Sequence, residues 1–353
     1  MSPKNDRLFF SQLIRGHPVG RVLGIDWDGR EFRVIEATIG RGTLEIERAL
    51  VLSMEREPSA NDPAAVGRFL RSRLDALGIS TRAVRACLGR SQAFFRSYTL
   101  PAVPDEELPA LVRFQVVKEL SFPGEQAIID FALASPEVNG SGTNTRQVLA
   151  AALRPELFAA CQTSLEAAGL KLQALGLRPF AIARALAHVL GRKADVTGPS
   201  AELVLAIGAE ATELAVVRGD DLVYSRALKR LDARALDGDR SPEGKIDHQD
   251  STDDKQAFSQ GPAQASDAGG ETLNALVSEV RRSLAAYSSQ FPQWPVQQVY
   301  LLGGVTIERR LSEELRRSLG LPVESVDPLA KLSFSGPRPE DPGAPGWPGQ
   351  ARP

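Results

Sequence analysis

Three apolar runs follow one another closely, at residues 203–207, 214–217 and 222–224, separated by a segment opened by Gly208 and by Arg218-Gly219-Asp220-Asp221. Runs this short, punctuated by glycine and aspartate, predict strands joined by tight turns, hence a three-strand antiparallel meander over residues 203–228. A related pattern stands near the amino end: Val22-Leu23-Gly24-Ile25-Asp26-Trp27, a turn at Asp28-Gly29, then Phe32-Arg33-Val34-Ile35. Two such hairpins far apart in a chain of 353 residues predict two related lobes, in keeping with the size at which a single core stops growing.

Residues 1–18 read as a flexible segment, residues 19–198 as the first lobe and residues 199–334 as the second. In the first lobe, Pro63 opens a helix whose apolar positions Val66, Phe69, Leu70, Leu74 and Leu77 recur at three and four, and Gly78 ends it. An inserted subdomain is expected over residues 91–169. It comprises a strand at 94–100, a helix opened by Pro104-Asp105 and closed by Pro123, strands at 128–133 and 147–153, and a helix over 156–168 capped by Gly169. Residues 233–270 retain only Leu236, Ile246 and Phe258 as large apolar side chains. Too little surface can be buried there to offset the ordering entropy, so a disordered linker is expected within the second lobe. The proline- and glycine-rich residues 335–353 read as a disordered tail.

Several function classes are disfavoured. The formal net charge is −2, with basic and acidic residues interleaved, so no electrostatic footprint for nucleic acid is present. No apolar run approaches the ~18 to 20 residues of a membrane span, and the amino end lacks the pattern of a signal peptide, so a cytoplasmic protein is expected. Cys87 and Cys161 are too few and too isolated for a disulfide framework or a zinc site. Cys161 shares a helical face with Leu157 and Leu165, as a small core residue would. His17, His188 and His248 are scattered, and no metal site or catalytic grouping is expected.

Gly24-Ile25-Asp26, Leu100-Pro101, Phe122-Pro123 with Asp130-Phe131, Ile207-Gly208-Ala209-Glu210, Ser225-Arg226, Tyr300-Leu301 with Gly303-Gly304, and Val326-Asp327-Pro328 occur in this order between about residues 20 and 332. Together they resemble PilM, the cytoplasmic actin-like protein of type IV pilus assembly, related to the actin-like domains of type II secretion. The resemblance implies an α/β, actin-like ATPase fold: two lobes around a nucleotide cleft, with a PilM-type inserted subdomain. It also implies a place at the inner face of the cytoplasmic membrane. There the partner would be the cytoplasmic segment of a PilN-type inner-membrane protein, alongside other pilus or secretion platform proteins.

In such folds phosphates lie against the two hairpins, where glycine lets backbone N–H groups approach oxygens. The resemblance therefore assigns the nucleotide cleft to Asp26, Asp28, Gly29, Gly208, Gly303 and Gly304. Three features of this chain oppose nucleotide chemistry. Asp28 replaces a glycine of the first hairpin; Ala206 stands where the second hairpin has its acid; and Ala227-Leu228-Lys229 leads into the linker where a helical subdomain usually contacts adenosine. The expectation is a scaffold that requires no cofactor, binds ATP–magnesium weakly if at all, and hydrolyses none. The alternative is an active actin-like ATPase whose nucleotide state switches partner binding.

Overall fold

The computed structural model describes residues 20–27, 31–41, 43–54, 61–133, 145–191, 200–208, 211–228, 268–302 and 305–336. Its first sheet is built from β1 (Gly20–Trp27), β2 (Glu31–Ile39), β3 (Leu44–Ser53), β4 (Ala83–Leu88), β8 (Lys171–Leu177) and β14 (Ser333–Phe334), in the order β14-β3-β2-β1-β4-β8. The second contains β9 (Ala201–Ile207), β10 (Thr212–Arg218), β11 (Asp221–Leu228), β12 (Val296–Leu302) and β13 (Val323–Ser325), in the order β11-β10-β9-β12-β13. Each sheet therefore holds three antiparallel strands followed by two parallel ones, β3-β2-β1-β4-β8 in one and β11-β10-β9-β12-β13 in the other. The two hairpins read from the sequence occupy equivalent places in this repeated topology.

The first sheet is covered by α1 (Pro63–Ala76), capped by the Asp62 side chain, which accepts from the Ala65 N–H at 2.9 Å. Val66, Leu70 and Leu74 are fully buried against Leu23, Ile25, Val34 and Leu50. The expected periodicity is borne out in these three, whereas Phe69 and Leu77 lie at the margin of the cluster. In the second lobe α5 (Ala268–Gln290) and α6 (Val305–Leu319) supply Val280, Tyr287, Leu311 and Leu315 to a core with Leu203, Leu205, Leu214 and Val216. β9 buries its other face too, through Val204, which explains its unbroken apolar run.

A third, three-stranded sheet has the order β5-β7-β6, from β5 (Phe94–Pro101), β6 (Ile128–Leu133) and β7 (Thr145–Leu153). α2 (Leu108–Glu119) packs on it through Leu108, Val112 and Val116. The helix expected to complete this insertion, α3 (Pro155–Ala167), packs instead on α1 of the first lobe. A Cβ added at Gly67 would stand 2.1 Å from the Ser164 carbonyl oxygen, so the close α1–α3 approach requires that glycine. Cys161 is buried as expected.

Two other expectations are corrected. Residues 333–334 do not stay with the second lobe but return to the first sheet, where Ser333 and Phe334 pair in parallel with Glu45 and Ile46 of β3. Helix α5 begins at Ala268, inside the stretch expected to be disordered, and carries the apolar face that makes this end of the segment foldable. The rest of that linker, the amino-terminal segment and residues 337–353 of the tail lie outside the described residues.

Candidate functional site between the lobes

The carboxyl ends of the parallel strands β1, β4 and β8 lie side by side, with Asp26 opposite Cys87 and Cys87 opposite Gly176 in register. Such strand ends are where open α/β sheets place their sites. β8 runs directly into α4 (Arg178–Leu190), which buries Ile182, Ala183 and Leu186 in a core shared with Val204, Ala215, Val217, Tyr300 and Leu302 of the second sheet. Helix α4 is thus clamped between the lobes. Arg178, its first residue, is aimed into the space between the two hairpins.

There Arg178 binds carboxylates from both lobes. Its Nε and Nη2 donate to Asp26 Oδ1 at 3.0 and 2.8 Å, and its Nη1 donates to Glu213 Oε1 at 2.9 Å. Asp26 Oδ2 accepts from Arg33 Nη1 at 2.8 Å, while the Cys87 thiol lies 3.4 Å from Oδ1. Glu213 Oε1 also accepts from the backbone N–H of Arg90 at 2.8 Å. Gly89 lets this loop come close, since a Cβ there would stand 3.2 Å from Glu213 Oε1.

The electrostatics follow from burial and pairing. Glu213 is 1% exposed, and Oε2 has no hydrogen-bond partner among the described residues. Burial raises its pKa above the ordinary carboxylate range against the opposing pull of Arg178. The Arg178 pKa is raised too, here in favour of the charged form: burial works against its charge, but Asp26 and Glu213 prevail and hold the pKa above the usual arginine value. A cation at a helix N-terminus opposes the helix dipole, so the two carboxylates also offset that cost. Burial, reinforced by the charge of Asp26, raises the Cys87 thiol well above its ordinary value.

Sequence reading found Asp26 and missed both Arg178 and Glu213. Ala206, expected to leave the second hairpin without an acid, has Glu213 of β10 as its cross-strand partner, so a carboxylate stands on the same face one strand away. The signal was a charged residue at the edge of an apolar run, where solvent exposure would have been equally natural. Gly208 is explained by its turn. Its N–H donates to the Ala211 carbonyl at 3.1 Å, and a Cβ would lie 2.8 Å from that oxygen. Asp28, Gly29, Gly303 and Gly304 lie outside the described residues, so the structure brings together only Asp26 and the Gly208 turn from the expected set.

Residues 24–341 match the family described as Type IV pilus assembly protein PilM. The chain belongs to the PilM family. Among solved structures, the PilM–PilN type IV pilus biogenesis complex contains a chain of similar fold. It has a TM-score of 0.69 and 24% identity, with 90% of this chain and 91% of that one covered. More distant likenesses include a Bacteroides thetaiotaomicron protein with an actin-like ATPase fold, at TM-score 0.44 and 10% identity over 87% and 90% of the two chains. Another is the cytoplasmic domain of EpsL from the type II secretion system of Vibrio cholerae, at 0.39 and 13% over 75% and 96%. The PilM-family chain has a mixed α/β fold similar to that of the chain in the PilM–PilN complex, with Arg178 standing between its two hairpins.

Proposed function

We propose that this PilM-family chain is an adaptor rather than an ATPase, working at the cytoplasmic face of the inner membrane in a pilus or secretion platform. Its partner in this reading is the cytoplasmic segment of a PilN-type membrane protein, together with other platform proteins. The similarity to the PilM chain of a PilM–PilN complex supports the partner, and among the described residues no helix is long and apolar enough to cross a membrane.

The observation that carries the adaptor reading is the position of Arg178. Both oxygens of Asp26 are engaged by guanidinium groups, and Arg178 also takes Glu213, so the two acids are joined by a cation belonging to the chain itself. A carboxylate committed in this way fits poorly as a magnesium ligand, because magnesium demands near-octahedral oxygen coordination. Gly208 fits no better as a phosphate contact, its N–H being used within its turn.

The test is a phosphate-release assay on the purified chain, together with capture by an immobilised PilN-type cytoplasmic peptide. No turnover is expected, ATP–magnesium binding should be absent or weaker than about 100 μM, and capture should not require nucleotide. One observation favours the ATPase alternative: Glu213 restores an acid beside the second hairpin. Turnover that disappears in Asp26→Ala would establish it in place of the adaptor.

A further inference from the structure

Strands β5 and β11 are the outer strands of their sheets, and they border a cleft of about 660 Å³ between the inserted subdomain and the second lobe. Arg90, Arg96 and Arg226 all line it, with Phe94, Tyr224 and Ser225, and no carboxylate is among the described residues that line it. Arg96 pairs at 2.9 Å with Glu119. Arg226 has a single hydrogen-bond partner among the described residues, the Ser283 hydroxyl at 3.5 Å.

Arg90 is held in place from inside the protein. Its Nη1 and Nη2 donate to the carbonyls of Ala93 and Phe95 at 3.0 and 3.3 Å, and the guanidinium lies 4.9 Å from the centre of the Phe95 ring. Its Nε is buried without a partner among the described residues, and burial lowers its pKa to about 10. Ser225 is 6% exposed, and its hydroxyl likewise has no partner among the described residues. Buried donors left unpaired cost free energy, and a desolvated guanidinium costs more. An anion in the cleft that accepts several hydrogen bonds would offset the positive charge that Arg90, Arg96 and Arg226 concentrate there. Phosphate and carboxylate oxygens meet that description, and arginine forks match their geometry.

The remainder of the lining is mostly apolar and aromatic, with Ser97, Ser225 and Gln290 as its polar members, and the volume lies within the range of small-molecule sites. We propose that this cleft binds a small organic anion, an oxyanion head carried on an apolar or aromatic body. The head would lie among Arg90, Arg96 and Arg226, and the body against Phe94 and Tyr224. Bound there, it would tie β5 of the inserted subdomain to β11 of the second lobe. The inference is independent of the adaptor reading, because apart from Arg90 it uses none of the residues around Asp26.

Phenyl phosphate, benzoate and inorganic phosphate are the probes, titrated calorimetrically into the full chain and into Arg96→Gln/Arg226→Gln. Both arginines are exposed, so the double variant should fold, and far-UV circular dichroism verifies this. Phenyl phosphate or benzoate should bind the unmodified chain, more tightly than inorganic phosphate, and at least tenfold more weakly in the double variant. Arg96→Lys/Arg226→Lys, which keeps the charge and loses the forks, should fall between, and supplies the same comparison if the glutamine variant misfolds. Absence of binding by either aromatic anion, or binding that both variants leave unchanged, overturns the proposal. Inorganic phosphate binding as tightly as phenyl phosphate overturns the assignment to an organic ligand.

Discussion

Replacing Arg178 with methionine keeps the aliphatic stem and removes the guanidinium that joins the lobes. The side chains of Arg178, Asp26 and Glu213 are only 12%, 20% and 2% exposed, so this is a largely buried network. Removing one partner of a buried pair typically costs about 3–5 kcal/mol, because a charge is left without compensation. Here Asp26 keeps Arg33 and Glu213 keeps the Arg90 N–H, which places the cost near the lower end, at about 3 kcal/mol. At roughly 2 °C per kcal/mol for a chain of this size, the melting temperature should fall by about 6 °C. Urea unfolding and calorimetry measure the loss, and combining Arg178→Met with Glu213→Gln isolates the pairwise part. A coupling of about 1 kcal/mol or more is expected between residues sharing one network. A total loss below about 1 kcal/mol, with additive single effects, would refute the claim that Arg178 clasps the lobes.

Glu213 should set a pH dependence. Its folded pKa is raised, so its contribution to stability is complete below the ordinary value of 4.5 and is lost as pH rises through the folded value. The stability difference between the unmodified chain and Glu213→Gln should therefore shrink from pH 4 towards neutrality, and a difference that grew would show that the charge stabilises despite its burial. Gly67→Ala should cost about 1–3 kcal/mol or more in urea unfolding, because the new methyl meets the backbone of α3; a neutral effect would mean the helices separate freely. In the folded chain neither cysteine should react with a thiol reagent at pH 8. Burial and Asp26 hold up the thiol of the partly buried Cys87, and burial raises Cys161 to about 12; rapid native-state labelling of Cys161 would contradict its packing, and of Cys87 the suppression of its thiolate. Phe114→Ser, at a side chain 59% exposed on α2, should change stability by less than about 0.5 kcal/mol in the same unfolding assay.

Periodicity and turn residues carry local information. Alternation in 22–35, the continuous apolar runs of 203–228, the spacing of Val66, Leu70 and Leu74, and the turn-forming glycines each report on one stretch of backbone and the face it buries. Those patterns were enough for the two hairpins, the strand–helix alternation and the insertion that begins at β5. The tertiary structure alone decided which charges meet. Asp26 and Arg178 are 152 residues apart, and Arg178 and Glu213 a further 35, so their union depends on where β8 ends and how α4 lies between the sheets. That Glu213 stands directly opposite Ala206 was hidden because the sequence carries no register between β9 and β10. The return of Ser333 and Phe334 to the first sheet and the packing of α3 on Gly67 were hidden for the same reason. Hydrophobic period records that a face is buried, whereas the partner of that face is fixed only when distant segments compete for the same space.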